Sequence, residues 1–246
     1  LFKGMFLQKQ KKYDQAIEEF LEARQYYDLP QIALDLGAIY FEKGPEYYDE
    51  AEKAFRDSLG IFPNYHLPRY NLGLIYYQKA ISLIDPHQAP IGDIELQGAA
   101  KRQKAVQLFK SAAEMFENAI TIDPRLHQAS FKLSLTYEKL NQLDPQNHPI
   151  DLAVQQYRET LRMNPRHADS YYNLGLLLTR SASELNTRAD ELMKQGRTEE
   201  ANRLYEQARE AMEESGELFD KSIKFNKKHF KALNNRGNQL FNEGKT

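Results

Sequence analysis

Six short side chains stand at matching points of one amphipathic pattern: Gly4, Gly37, Gly73, Ser134, Gly175 and Gly237. They are separated by 33, 36, 61, 41 and 62 residues. Taking about 34 residues as the unit, the length of a helix–turn–helix repeat, the third and fifth intervals carry insertions of 27 and 28 residues and the fourth an excess of 7. Four of the six follow a leucine, in Leu36-Gly37, Leu72-Gly73, Leu133-Ser134 and Leu174-Gly175, and Tyr40, Tyr76, Tyr137 and Leu178 follow three residues later. A chain with this feature folds as stacked helices or not at all, because each unit alone has too little apolar surface to bury.

A second signature follows each of the first five landmarks: small, three residues, large, two residues, small. It reads Ala16/Phe20/Ala23, Ala51/Phe55/Ser58, Ala112/Phe116/Ala119, Ala153/Tyr157/Thr160 and Ser215/Phe219/Ser222. The unit then stops at Pro63, Pro124 and Pro165, with Lys227 in the corresponding place of the last full unit. Small residues let two antiparallel helices approach closely, and the aromatic fills the space beside them. Proline cannot continue a helix and fixes the turn between units. Over nearly the whole chain this arrangement resembles the tetratricopeptide repeat family. The resemblance implies an all-α fold, a right-handed superhelical α-solenoid of antiparallel helix pairs with about eleven helices. One solenoid would span 1–246, with units near 1–29, 30–65, 66–125, 126–166, 167–228 and a partial unit 229–246. Helices are expected near 1–10, 13–27, 30–43, 47–60, 66–84, 99–122, 126–140, 150–163, 167–195, 198–225 and 229–242. Both ends fall inside a unit and no Met precedes Leu1, so the natural chain is expected to extend past one or both ends.

The two long insertions lengthen helices instead of loops. Ala105, Ala112 and Ala119 recur in sevens with Phe109 and Phe116 between them; Ala201, Ala208, Ser215 and Ser222 do the same with Tyr205, Met212 and Phe219, and on the facing helix Leu174, Leu178, Leu185 and Leu192 keep a similar spacing. A seven-residue apolar repeat is a coiled-coil seam, so units 66–125 and 167–228 are expected to project as long antiparallel hairpins. The tip "KQGRTEEA" is tight, with Gly196 ending one helix and Thr198 capping the next ahead of Glu199 and Glu200. The tip "IDPHQAPIGDIELQG" is looser and carries Ile91, Ile94 and Leu96, apolar residues that dock either on the adjacent coil or on a partner.

The resemblance also places a binding face. In the family the first helix of each pair lines a concave groove, and the residue two before the landmark points into it. Here those residues are Asp35, Asn71, Lys132, Asn173 and Asn235. An Asn amide both donates and accepts, which suits the backbone of an extended peptide. Tyr70, Phe131, Tyr172 and Asn234 lie beside them, and Tyr77 and Asn238 extend the same face. Aromatics beside amides make an anchoring surface. The alternative is that the Asn side chains solvate a groove wall. Some family members grip the C-terminal carboxylate of a chaperone with a set of Lys, Asn and Arg. The matching slots hold Leu34 and Ala38, then Asn71, then Gln128 and Lys132, which lacks the cations a carboxylate needs.

Chemistry is sparse elsewhere. His66, His127, His167 and His229 follow unit-ending turns, His87 and His148 lie in loops, and no pair has metal-site spacing. "EGKT" at the end resembles a phosphate loop, but Gln239 stands where the first Gly is required. The chain has no Cys, so disulfides and thiol nucleophiles are excluded, and a formal charge of −2 offers no basic face for nucleic acid. No apolar run reaches the ~18 residues of a membrane helix. The reading is a non-catalytic interaction scaffold that needs no cofactor or metal, takes a protein or peptide partner, and fits cytoplasm or periplasm equally. Self-assembly through the hairpins or terminal units, or service as the substrate-reading arm of a longer enzyme or of a secretion or pilus-assembly machine, are the alternatives.

Overall fold

The computed structural model describes residues 1–84 and 94–242, with side chains from 98 onward in the second stretch. The expectations placed on Ile91, on the Ile94 and Leu96 side chains and on the segment from Gly244 lie outside the described residues. Among the described residues the structure is helical, with no strand. It forms two compact units, Leu1–Asp144 and Pro145–Thr246.

The first unit contains α1 (Phe2–Lys9), α2 (Tyr13–Tyr26), α3 (Pro30–Lys43), α4 (Tyr48–Ile61), α5 (His66–Ile84), α6 (Ile94–Ile122) and α7 (His127–Leu143), with a single 3-10 turn over Pro45–Tyr47. The second contains α8 (Ile150–Met163), α9 (Ala168–Lys194), α10 (Thr198–Phe225) and α11 (Phe230–Asn242). Each stop sits where proline demands it, two residues past the last helical residue, at Pro63, Pro124 and Pro165. α6 starts at Ile94, five residues before the sequence pattern places it. Glu95, Leu96 and Gln97 are good helix formers, and one Gly98 costs only about 1 kcal/mol in a helix interior.

Four helix pairs close on a notch and a ring. Phe20 lies against Gly4, Phe55 against Gly37, Phe116 against Gly73 and Phe219 against Gly175. A Cβ at any of these glycines would come within 2.5–2.8 Å of the ring. The rings themselves are buried. Fully burying a Phe contributes about 1.5–3 kcal/mol, so each notch anchors its pair.

The seams of the long pairs pack as their heptads require. Ala105, Phe109, Ala112, Phe116 and Ala119 are all at 0 % exposure on α6. On α9 and α10, Ala189, Leu192 and Ala201 form a buried cluster with Leu204 and Tyr205 packed on it. The turn between these helices differs from the expected cap. Gly196 adopts φ +76, the Gly196 N–H donates to Met193 O at 3.0 Å and the Arg197 N–H to Leu192 O at 3.0 Å, the paired bonds of a Schellman turn. Arg197, not Thr198, is the N-cap, and no side chain caps the helix. Its first turn is supported instead by Glu199 and Glu200 against the helix dipole, with Glu200 paired to Arg197 at 2.5 Å.

Polar contacts tie α4 to α5. Tyr76 Oη donates to Glu52 Oε1 at 2.7 Å, Arg56 donates to both Glu52 and Tyr76, and Lys79 bridges Glu52 and Asp49. Burial works against the Glu52 carboxylate, but the Tyr76, Arg56 and Lys79 donors hold it below its ordinary range. Burial, with the hydrogen bond to Glu52, pushes the Tyr76 phenol up to about 12.

Candidate functional site

In the first unit the first helices of successive pairs touch, α3 against α5 and α5 against α7. This brings the equivalent positions Asp35, Asn71 and Lys132 onto neighbouring helices, each half-buried. Asp35 accepts a hydrogen bond from Gln31 Nε2 at 2.7 Å, and Tyr65 Oη donates to Gln31 Oε1 at 2.7 Å. Burial pushes the Asp35 carboxyl up, against the Gln31 bond. The Asn71 amide has no hydrogen-bond partner among the described residues.

Lys132 is the unusual group. Burial pulls its ammonium below the ordinary lysine range, and among the described residues no carboxylate pairs with it. Its Nζ lies 5.8 Å from the ring centroid of Tyr77, a cation–π distance. Tyr77 in turn packs edge-on to Phe109 at 5.4 Å. Its phenol is pushed up to about 12 by burial, with Glu138 adding to the effect. Tyr70 lies 5.9 Å from Phe116, and Phe131 is half-buried on α7. Tyr70 and Tyr77 therefore both belong to the packed wall, with their phenols desolvated by burial, where the sequence pattern had them as anchors of the binding face.

The second unit carries the other five. Tyr172 on α9 lies 5.9 Å from Phe219 and 4.5 Å from the His229 ring. The Asn235 amide on α11 donates to Tyr172 Oη at 3.5 Å, the outer limit of a hydrogen bond. Asn173 is half-buried with no hydrogen-bond partner among the described residues, and Asn234 and Asn238 are exposed on α11. His229 accepts from the Ala232 N–H through Nδ1 at 3.2 Å and lies 3.3 Å from Asp169 through Nε2. The sequence does not single out that His229–Asp169 contact, because the two residues are equivalent in neither helix nor repeat. The Gln31–Asp35 pair, at i and i+4, was open to reading from spacing.

No group of three or more His, Asp or Glu among the described residues could hold a metal. No helix among them is long and apolar enough to cross a membrane. The first unit offers the Asn71 amide, the desolvated Lys132 ammonium and the Tyr70, Tyr77 and Phe131 rings, and the second the Tyr172 ring and the Asn173, Asn234, Asn235 and Asn238 amides; the Ser170 hydroxyl lies 2.9 Å from Nδ1 of His167, which caps α9.

Paired helices closed by a glycine notch and an aromatic, stacked on their first helices, define an α-solenoid of helix–turn–helix repeats. Residues 146–181 match the tetratricopeptide repeat family model, and the fold is that of tetratricopeptide repeat proteins. The structure is similar to that of YrrB, described as a TPR protein with an unusual peptide-binding site, at a TM-score of 0.58 and 16% identity, covering 95% of this chain and 88% of that one. It is similar also to MamA, at a TM-score of 0.51 and 17% identity, covering 87% of this chain and 96% of that one. A double mutant of MamA gives a TM-score of 0.51 at 12% identity, with 85% and 90% covered. No curated protein matches the sequence.

Proposed function

We propose that the chain is a non-catalytic interaction scaffold that binds an extended peptide or partner segment along the first-helix faces of its repeats. The observation that carries this reading is Lys132: a half-buried ammonium over the Tyr77 ring, without a carboxylate, one helix away from the unpartnered Asn71 amide. Desolvating a charge without a partner is costly, and a peptide carbonyl or acidic side chain placed there would recover that cost. Asn71 would donate to and accept from the same peptide backbone. Tyr70, Tyr77 and Phe131 supply the flanking rings. In the second unit Tyr172, Asn173, Asn234, Asn235 and Asn238 offer amides and a ring of the same kind. The fold shared with YrrB, a protein described by its peptide-binding site, supports this class of ligand without naming one.

Selection of a displayed random-peptide library on the purified chain tests the proposal. Peptides should be enriched, and Lys132→Ala and Asn71→Ala should each weaken binding by about 5- to 30-fold, or ~1–2 kcal/mol, with helical content unchanged. Asn173→Ala and Tyr172→Ala report on the second unit in the same assay. If no peptide is enriched, or all four variants bind within twofold of the parent, the first-helix faces are not the binding surface.

A further inference from the structure

The binding face of the first unit carries two isolated charges of opposite sign. Asp35 on α3 and Lys132 on α7 stand at equivalent positions, with the neutral Asn71 on α5 between them. Within four residues of these three positions the sequence holds only one other charged side chain, Arg69, which is taken up by the Tyr65 carbonyl at 3.1 Å and the Pro63 carbonyl. Among the described residues no cation pairs with Asp35 and no carboxylate with Lys132. The Gln31 amide reaches Oδ1 of Asp35, and the Tyr65 hydroxyl holds that amide from its other side. Burial disfavours both charges, pushing the Asp35 carboxyl up and pulling the Lys132 ammonium down.

The two charges stand too far apart to neutralise each other. α3 touches α5 and α5 touches α7. With neighbouring helix axes about 8–10 Å apart, Asp35 and Lys132 are separated by roughly 16–20 Å. That exceeds the screening length of about 8 Å at physiological ionic strength. An extended chain rises about 3.3 Å per residue, so the interval corresponds to about 5–6 residues of a ligand. We infer that the extended segment taken by this face is charge-ordered: a Lys or Arg side chain sits against Asp35 and an Asp or Glu side chain against Lys132, about 5–6 residues apart, with neutral residues over Asn71 between them. This ordering rests on the peptide-binding reading of the same face and supplies its selectivity. An all-acidic or all-basic segment would meet a like charge at one end, and one with its charges closer together could satisfy only one of the two. Asn71, which both donates and accepts, bonds any peptide backbone and discriminates none.

A displayed random-peptide library of about 12 residues, twice the interval, is selected in parallel on the intact chain and on its Asp35→Asn and Lys132→Met variants. Both substitutions keep the side chain's shape and remove its charge, and helical circular dichroism checks the fold. Peptides selected on the parent should carry a basic and an acidic residue about 5–6 positions apart. Selection on Lys132→Met should lose the acidic preference and keep the basic one, and selection on Asp35→Asn the reverse. A synthetic peptide of the parent consensus is then made with both ends blocked, so that only side chains carry charge. Replacing its acidic residue by Ala should weaken binding about 5- to 30-fold on the parent and less than twofold on Lys132→Met. Binding to the parent should also weaken severalfold from low to high salt. The peptide-side substitutions read the same pairing on the unaltered chain. Enriched peptides without the spaced pair, or with a charge preference that neither variant alters, overturn the charge ordering and leave the peptide groove standing. No enrichment on any of the three forms removes both.

Discussion

At the scale of single residues the landmark positions are matters of space. Gly73 has the Phe116 ring within 2.6 Å of where a Cβ would stand, and Gly237 has nothing. Gly73→Ala should therefore destabilise the chain by about 1–3 kcal/mol, since the ring must leave its place in a packed core. Gly237→Ala should be neutral or stabilise by up to about 1 kcal/mol through helix propensity. Urea unfolding of the two variants against the parent decides, and equal effects would remove the notch from the account. Tyrosine burial gives a second outcome. Tyr76 and Tyr77 ionise at about 12 in the folded chain, raised from 10.0. A phenol raised on folding lends its stability in full below pH 10 and loses it as pH climbs through about 12. Phenolate absorbance should show a late-ionising fraction that shrinks in Tyr77→Phe, and helicity should fall across the same interval. A titration with every tyrosine near 10 would contradict the packing described for both rings.

At the scale of elements, the α9–α10 pair stands out because its far end depends on one seam. Ala189, Leu192, Ala201, Leu204 and Tyr205 form that seam, with Tyr205 Oη donating to Asp190 at 2.5 Å. Near the repeat, the same helices are held by Phe219 in the Gly175 notch and by Thr179 and Ser215 at 2.7 Å. Leu192→Ala should therefore speed amide exchange over 186–207 while leaving 170–180 protected, a local opening that costs less than global unfolding. Uniformly faster exchange along both helices would show that the pair opens as a whole. The heptads of this hairpin were readable because a period of seven is a local property of sequence. Its turn was only half readable. Gly196 is legible as a stop, but the N-cap of the helix after it is Arg197, whose N–H the Schellman turn commits to Leu192 O, and Thr198 is already the first helical residue.

At the scale of the whole molecule the chain divides into Leu1–Asp144 and Pro145–Thr246. Repeat stacks are held by nearest-neighbour contacts, so residues 1–144 alone should retain helical circular dichroism and unfold cooperatively in urea. Their denaturant slope should be smaller than the parent's, in proportion to the surface exposed. A fragment that is helical but unfolds without cooperativity would show that its stability rests on the remainder of the chain. The candidate binding residues fall five in each unit, which makes the two sets separately testable. Lys132→Ala and Tyr172→Ala should affect different fragments.

The sequence by itself determined the helices, and the partners and notch-and-ring register of the four pairs closed on Gly4, Gly37, Gly73 and Gly175. These depend on periodicity, side-chain size and proline, all of which act over a few turns of one helix or between neighbours in the chain. It also marked Asn71, Lys132, Asn173 and Asn235 as equivalent, because repeats align residue by residue. Only the tertiary structure decided which of them lack partners. Asn235 meets Tyr172, and Lys132 finds a ring and, among the described residues, no carboxylate. The reason is that equivalence in sequence sets the direction of a side chain, whereas its hydrogen bonds and desolvation are set by residues one or two repeats away.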